Sequence, residues 1–182
     1  MFTLGQRLLE RPGIDFSGYS ERAGMYSKLV PTPGKEKSAI SNLFLRSGHV
    51  PFRINEFFTD PHLTVIWSKP VIRQREIQSV CENSCRRYAG KAVSVSYWEG
   101  HGKVGYVVLN IESSDIQEFH ELLLKMGAVH SHNSYEPHVT IASGVGALNP
   151  EIRNWIASVN EKLKRKALPI SFGSMSFSDL YD

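Results

Sequence analysis

The sequence predicts an α+β fold, in which a mainly antiparallel sheet is flanked by helices. Short runs of alternating or β-branched residues are separated by longer segments with apolar residues at helical spacing. Two of the short runs share the pattern Pro-His-apolar-Thr-apolar, and each is followed by a loop and a long amphipathic segment. A strand-and-helix unit that occurs twice predicts two pseudo-symmetric lobes that face each other across a central cleft.

The first part of the chain divides into an extension, a strand and an insertion. Residues 1–24 are predicted to form a mobile N-terminal extension, because a short amphipathic piece ends at a Pro-Gly pair and a polar stretch follows. Residues 25–182 are predicted to form a single bilobal domain. Within it, residues 25–30 alternate like a strand, and an insertion at 35–60 carries a helix at 35–46.

The two repeats and a hairpin between them supply the remaining elements. Strands are predicted where apolar and polar residues alternate, and helices where apolar residues recur every three or four positions between capping residues. In chain order, the predicted elements are a strand at 62–67, a helix at 71–88 that ends before Gly90, strands at 92–98 and 104–111, a helix from Ser114 to Gly127, a strand at 138–142, a helix capped by Asn149 and Pro150, and a strand at 169–177.

The composition, with 41% apolar and 21% charged residues, is typical of a soluble globular protein. No segment approaches the roughly 20 apolar residues of a membrane helix, so no membrane partner is predicted. The formal net charge of +3 fits an anionic ligand but is too weak for the broad positive track that a long nucleic acid requires. Cys81 and Cys85 stand four apart in a predicted helix, where we expect them to pack in a reducing cytoplasm.

The repeated strand places a histidine and a threonine on one face. Side chains at positions i and i+2 of a strand project to the same side, so His62 lies beside Thr64 and His138 lies beside Thr140. Chance gives about one loose His-x-Ser/Thr match in a chain of this composition, but only roughly a few hundredths of a match to the stricter repeated pattern. Two matches in comparable settings indicate a catalytic pair that is aimed at a cleft.

Three other interpretations account for part of this pattern. A histidine at the end of a strand often does no more than hydrogen-bond to the backbone. His130, His132 and His138 have the spacing of a zinc ligand set, although that interpretation leaves the motif at His62 unexplained. A nucleotide-binding module without catalytic activity is the third interpretation.

In these motifs, their order and the helices between them, the chain from residue 25 to its last strand resembles the 2H phosphoesterase superfamily, which is named for two His-x-Thr/Ser motifs. Within it, the compact size and the stretches Gly24-Met25-Tyr26 and 134–140 are similar to the phage anti-CBASS phosphodiesterases. Those enzymes degrade the cyclic oligonucleotide second messengers of bacterial defence. The resemblance implies two lobes around a cleft, one motif on each side, and a reaction that needs no metal and no cofactor.

The resemblance also implies that His62, Thr64, His138 and Thr140 are the catalytic residues. One imidazole would remove the proton of a ribose 2′-hydroxyl, the other would protonate the departing 5′-oxygen, and the threonines would hydrogen-bond the phosphate oxygens. The expected substrate is a cyclic oligonucleotide, and RNA ends or 2′,3′-cyclic phosphates are the alternative. The expected location is the cytoplasm, that of the host cell if the protein comes from a phage.

Aromatic side chains are the candidates for binding the bases of such a substrate, because each base can stack on an aromatic ring. The predicted substrate-binding residues are Tyr26, Trp98 and Tyr135, and Tyr97 is a weaker candidate. The resemblance further implies a homo-oligomer in which the C-terminal segment, 171–182, contributes to the pocket of a neighbouring subunit.

Overall fold

Six strands and five helices occupy the described part of the chain. The computed structural model describes residues 24–32, 34–69, 73–84, 87–100, 105–129 and 134–179. The strands are β1 (Met25–Pro31), β2 (Leu63–Ser68), β3 (Tyr88–Glu99), β4 (Gly105–Glu112), β5 (His138–Val145) and β6 (Leu168–Asp179). The helices are α1 (Lys35–Arg46), α2 (Glu56–Thr59), α3 (Gln74–Glu82), α4 (Ser114–Lys125) and α5 (Pro150–Arg165). This order confirms the predicted α+β class.

The strands close into an antiparallel barrel in the order β1-β2-β5-β4-β3-β6. Strands β1 and β2 form one group, and strands β5, β4 and β3 form the other. On one side the two groups are joined by one registered pair, Leu63 of β2 with Val139 of β5, which we name the seam pair. On the other side β6 joins them, because its first half pairs with β3 and its second half pairs with β1. The two predicted lobes correspond to these two groups of strands.

The two faces of this sheet differ in polarity. Both residues of the seam pair are fully buried, in a core that also contains Ile40 of α1, Ile116 of α4 and Trp155 of α5. The helices therefore cover the apolar face. The side chains that alternate with these core residues, among them Thr64 and Thr140, are only partly buried and form the polar face.

The helix predicted at 71–88 is shorter than expected. Helix α3 ends at Glu82, and Tyr88 and Gly90 belong to strand β3 instead. A Cβ atom added at Gly90 would lie 2.7 Å from the side chain of Ile111 in β4, so the close approach of two strands, not the end of a helix, requires glycine here. Periodicity misled the prediction because a buried tyrosine fits both a helix face and a strand face.

The C-terminal segment belongs to the chain's own barrel. Residues 171–179 lie in β6 and pair with β1 and β3 of the same chain, whereas 180–182 lie outside the described residues. The predicted extension at 1–24 (all but its last residue) and Cys85 are also outside the described residues. Cys81 is buried in α3, where packing was predicted. No helix within the described residues is long and apolar enough to cross a membrane.

Candidate active site

The seam pair fixes the relative positions of the two His-x-Thr motifs. Because its two residues are paired in antiparallel register, their neighbours on the polar face are cross-strand partners: Thr64 lies across from His138, and Thr140 lies across from His62. Cβ atoms directly opposite in such strands are about 4.5–5.5 Å apart, and diagonal residues are roughly 7–8 Å apart, with their Cβ atoms somewhat closer. The two histidines occupy one diagonal, and this separation leaves room for one phosphate group between their rings.

Both imidazoles are held in the same way. Nδ1 of His62 lies 2.8 Å from the carbonyl oxygen of Asp60, and Nδ1 of His138 lies 2.7 Å from that of Glu136. In each motif the carbonyl belongs to the residue two positions earlier, across a proline whose φ angle is fixed. A carbonyl oxygen only accepts hydrogen bonds, so Nδ1 carries the hydrogen in both rings. Nε2 is therefore the atom of each ring that can take up or release a proton.

An ion pair lies behind the first histidine. The Asp60 carboxylate is 3.3 Å from Nδ1 of His62 and 3.1 Å from Nζ of Lys28. The hydrogen bond from Lys28 holds the pKa of the Asp60 carboxyl below its ordinary value, and a positive charge on His62 lowers that pKa further. We name the set of His62, Thr64, Asp60, Lys28 and Tyr26 the His62 half-site.

Tyr26 completes the His62 half-site. Its hydroxyl lies 3.4 Å from Oγ1 of Thr64, and its ring meets the His62 ring edge to face at 6.2 Å between centroids. Burial raises the pKa of the Tyr26 hydroxyl, so the group stays protonated at neutral pH and can donate a hydrogen bond. The structure therefore brings Tyr26 into contact with both members of the first motif.

A different set of groups surrounds the second histidine. The Trp98 ring lies 4.3 Å from the His138 ring, centroid to centroid, at an interplanar angle of 62°. Asn110 stands directly across from His138 on β4, and its amide donates to the hydroxyls of Ser94 at 2.8 Å and Ser96 at 2.7 Å. We name these residues, together with His138 and Thr140, the His138 half-site.

A bulge in β2 is held from behind by two aromatic rings. The register between β1 and β2 skips Val65. The Tyr135 hydroxyl donates to the Thr64 carbonyl oxygen at 2.9 Å. Nδ1 of His120 donates to the Val65 carbonyl oxygen at 2.7 Å. The two rings stack at 3.8 Å, and burial raises the pKa of Tyr135. This geometry favours a supporting role for Tyr135, in contrast to the base-stacking role predicted from the sequence.

Comparison with protein families agrees with this arrangement. Residues 44–168, more than two thirds of the chain and a span that contains both His-x-Thr motifs, match the model of the anti-CBASS protein Acb1. The chain belongs to the Acb1 anti-CBASS family. This membership confirms the anti-CBASS resemblance that the sequence motifs indicated.

The other two comparisons add less to the Acb1 assignment. A crystal structure of TT0787 from Thermus thermophilus is similar, with 14% sequence identity, a TM-score of 0.48 and coverage of 86% of each chain. No curated protein sequence matches the chain.

Tyr97, the weaker sequence candidate, does not join this candidate site. Tyr97 neighbours Trp98 on β3 but points to the opposite face of the strand, where its hydroxyl donates to the Gly146 carbonyl oxygen at 3.1 Å. His130 and His132, the other members of the zinc hypothesis, lie outside the described residues. Among the residues that the structure describes, no three histidine, cysteine or acidic side chains are grouped as metal ligands would be.

The structure also adds residues that the sequence analysis did not single out. Trp67 lies across from Tyr26 on the neighbouring strand and is 45% exposed, which is unusual for tryptophan. Asn110 is the polar position in an otherwise apolar stretch of β4, and that interruption was visible in the sequence. Nothing in the sequence marked Asp60 as a site residue. Its contact with His62 depends on how the chain turns at the intervening proline.

Proposed function

We propose that this protein is a phosphodiesterase that cleaves the 3′-5′ bonds of cyclic oligonucleotide second messengers through attack by a ribose 2′-hydroxyl. The observation that carries the proposal is the register of the seam pair, which puts His62 and His138 on one diagonal and sets each across from the other motif's threonine. Membership of the Acb1 family supports the substrate class. The corresponding biological role is counter-defence, in which a phage enzyme removes the signal within the host cytoplasm.

The proposed chemistry uses the tautomer that the backbone carbonyls impose. Nε2 of the neutral ring accepts the proton of the 2′-hydroxyl, and the bond between O2′ and phosphorus forms. Nε2–H of the protonated ring donates to the 5′-oxygen as the bond from phosphorus to that oxygen breaks. The product is a linear oligonucleotide that ends in a 2′,3′-cyclic phosphate. Imidazole suits both steps because it changes protonation state near neutral pH.

Hydroxyl groups beside the rings are placed to bind the phosphate. Thr64 and Thr140 flank the diagonal that the histidines span, so each can donate to a non-bridging phosphate oxygen while charge develops there. Tyr26 adds a third hydroxyl, in contact with that of Thr64. Every proton transfer and every phosphate contact in this scheme has a protein group, so the proposal requires no metal ion.

The aromatic residues at the two ends of the site are proposed to stack on the bases. Trp98 lies against His138, whereas Tyr26 lies against His62 with Trp67 across the strand from it. Stacking on one aromatic side chain is worth roughly 1–3 kcal/mol per base and tolerates different bases. This arrangement provides a platform on each side of the phosphate.

The proposal is tested with a substrate panel in EDTA. Cyclic di- and trinucleotides, RNA oligomers and 2′,3′-cyclic mononucleotides are incubated with the purified protein, and the products are identified by mass. We expect the cyclic oligonucleotides to be opened at rates that EDTA leaves unchanged. Turnover of RNA ends or cyclic mononucleotides alone would reassign the substrate. Loss of activity in EDTA would contradict the metal-free scheme, and binding without any product would leave a non-catalytic module.

A further inference from the structure

The backbone connection between the strands of the two motifs is short. Within the described residues, β2 and β5 share only the seam pair, Leu63 with Val139. Strand β2 begins at Leu63, whereas β5 continues to Val145. Because the two strands are antiparallel, the second half of β5 extends past the start of β2 and has no residue of β2 to pair with. A strand edge of this kind leaves backbone N–H and C=O groups that need other partners.

The side chain of Asn55 supplies such partners. Its Oδ1 accepts from the backbone amide of Ser143 at 3.0 Å, and its Nδ2 donates to the carbonyl oxygen of the same residue at 3.2 Å. A side-chain amide that binds both backbone groups of one residue takes the place of a neighbouring strand. The Ser143 hydroxyl donates a further hydrogen bond, of 2.7 Å, to Oε1 of Glu56. We name Asn55, Glu56 and Ser143 the seam clamp.

A short series of hydrogen bonds leads from the seam clamp to His62. Asn55 caps α2 by accepting the Glu56 amide at 3.1 Å. The Asp60 amide donates to the Glu56 carbonyl oxygen at 3.0 Å, and the Asp60 carbonyl oxygen accepts from Nδ1 of His62 at 2.8 Å. Phe57, within this single helical turn, is fully buried, so the turn cannot move outward without exposing an aromatic ring. The His62 ring is therefore tied to β5, the strand that carries the second motif.

The seam clamp and Tyr135 hold opposite sides of the seam pair. Ser143 stands four positions after Val139, and Tyr135 stands four positions before it. The Tyr135 hydroxyl reaches β2 at the Thr64 carbonyl oxygen, 2.9 Å away. One registered pair alone leaves two strands free to pivot about it. With a contact on each side of the seam pair, β2 and β5 keep a fixed relative orientation.

We infer that Asn55 and Ser143 are positioning residues of the phosphodiesterase, which fix the separation between the rings of His62 and His138. The inference rests on the proposed function, because the separation matters for catalysis only if both rings act on one phosphate. Displacing a reacting group by about 1 Å through a distant mutation can lower the rate roughly hundredfold. The seam clamp is therefore expected to affect the chemical step more than the binding of the bases.

The first experiment measures kcat and KM for one cyclic dinucleotide. In Asn55→Ala, which loses the bridge to Ser143 and the cap of α2, kcat is expected to fall about ten- to hundredfold while KM stays within about twofold. Asn55→Ser separates the two roles. Serine caps helices as well as asparagine does, but its single hydroxyl cannot bind both backbone groups of Ser143, so kcat should stay low.

The matched control is Asn149→Ala. Asn149 caps α5 by accepting the Ile152 amide at 2.9 Å, so the variant loses an asparagine cap without losing a bond between β5 and the His62 segment. We expect its kcat to equal that of the wild-type protein.

The second experiment examines the seam pair without turnover, by hydrogen exchange measured with NMR. In Asn55→Ala the amides of residues 62–64 and 138–140 should exchange about tenfold faster relative to those between β3 and β4. Asn149→Ala should show no such selective change. This measurement remains valid if the wild-type protein cleaves no cyclic oligonucleotide, in which case the proposed function fails while the clamping of the strands is still tested.

Four results would overturn the inference. They are wild-type kcat in Asn55→Ala or Asn55→Ser, an equal loss of kcat in Asn149→Ala, a rise in KM with unchanged kcat, and the absence of selective exchange at the seam pair. If Asn55→Ala does not fold, Asn55→Ser decides the question. Failure of both to fold would assign Asn55 to stability alone and would also overturn the positioning role.

Discussion

The His62 and His138 half-sites share their chemistry and differ in their surroundings. Both histidines donate from Nδ1 to a backbone carbonyl two positions earlier across a proline, and both lie across from a threonine. Behind His62 stands an ion pair of Asp60 and Lys28, whereas the His138 half-site contains an amide–hydroxyl network and a tryptophan. The shared groups are the ones that the proposed proton transfer uses. The groups that differ are where we expect an asymmetric substrate to be distinguished.

The largest expected effect tests whether the two histidines are equal partners. His62→Ala and His138→Ala should each lower kcat by about 10²- to 10⁴-fold, since general acid and general base catalysis contribute on that scale. His49→Ala removes an exposed histidine outside the site and serves as the control. Circular dichroism checks the fold. A variant that keeps more than a few per cent of the activity would refute the proton-transfer role of that histidine.

Variants of the two threonines test whether both half-sites bind the phosphate. Thr64→Val and Thr140→Val keep the β-branched shape and remove one hydroxyl each, so the strands should stay intact. We expect kcat to fall roughly ten- to hundredfold in both variants, because a donor to the developing charge is lost. Steady-state kinetics measure the effect. A loss confined to one variant would show that the phosphate is bound by one half-site only.

Two tryptophans test the asymmetry between the half-sites. Trp98→Ala removes the ring that contacts His138, and we expect KM to rise about tenfold or more with a smaller change in kcat. Trp67→Ala, in the other half of the site, should raise KM less, because Trp67 stands three positions beyond Thr64 on β2, where it faces Tyr26 of β1. KM values for one cyclic dinucleotide decide the order. The reverse order would place the more tightly held base beside His62.

Tyr135→Phe tests how the first motif is supported. The variant keeps the ring stacked on His120 and loses the hydrogen bond to the Thr64 carbonyl oxygen. We expect the free energy of unfolding to fall by about 1 kcal/mol and kcat to fall severalfold, with KM unchanged. Chemical denaturation and kinetics measure the two effects. A rise in KM with unchanged kcat would instead support the base-binding role that the sequence suggested.

The smallest expected effect concerns the ion pair of the His62 half-site. Asp60 is largely exposed, so Asp60→Asn should cost about 1 kcal/mol of stability or less. The pKa of Asp60 is lowered in the folded state, so its contribution is fully present above the ordinary pKa of an aspartate and disappears as pH falls through the lowered value. Denaturation of both proteins at neutral and strongly acidic pH should show this difference closing. A difference that grows in acid would contradict the sign.

The sequence predicted the strands and the two motifs well because they depend on local patterns. Alternation identified the strand at His138, and the Asn149–Pro150 cap marked the start of α5. The helix from Ser114 was also predicted, although its capping side chain is that of Ser113. These features are properties of neighbouring residues, and so they can be read from the chain directly.

Features that depend on register could not be predicted. Three features follow from how the strands align. Asn110 faces His138, Trp67 faces Tyr26, and a bulge at Val65 turns two carbonyl groups toward the side chains of Tyr135 and His120. A shift of one residue would turn each of these side chains to the opposite face. For the same reason the sequence could not distinguish Tyr135, whose hydroxyl binds the Thr64 carbonyl oxygen, from Trp98, whose ring contacts His138.

The most direct test of the central claim removes a single oxygen atom from the substrate. A cyclic dinucleotide with one ribose and one 2′-deoxyribose is incubated with the protein, and the position of cleavage is determined by mass. We predict that only the bond 3′ of the ribose is cut and that this ribose then bears a 2′,3′-cyclic phosphate. Cleavage on the 3′ side of the deoxyribose would contradict it, because no internal nucleophile exists there.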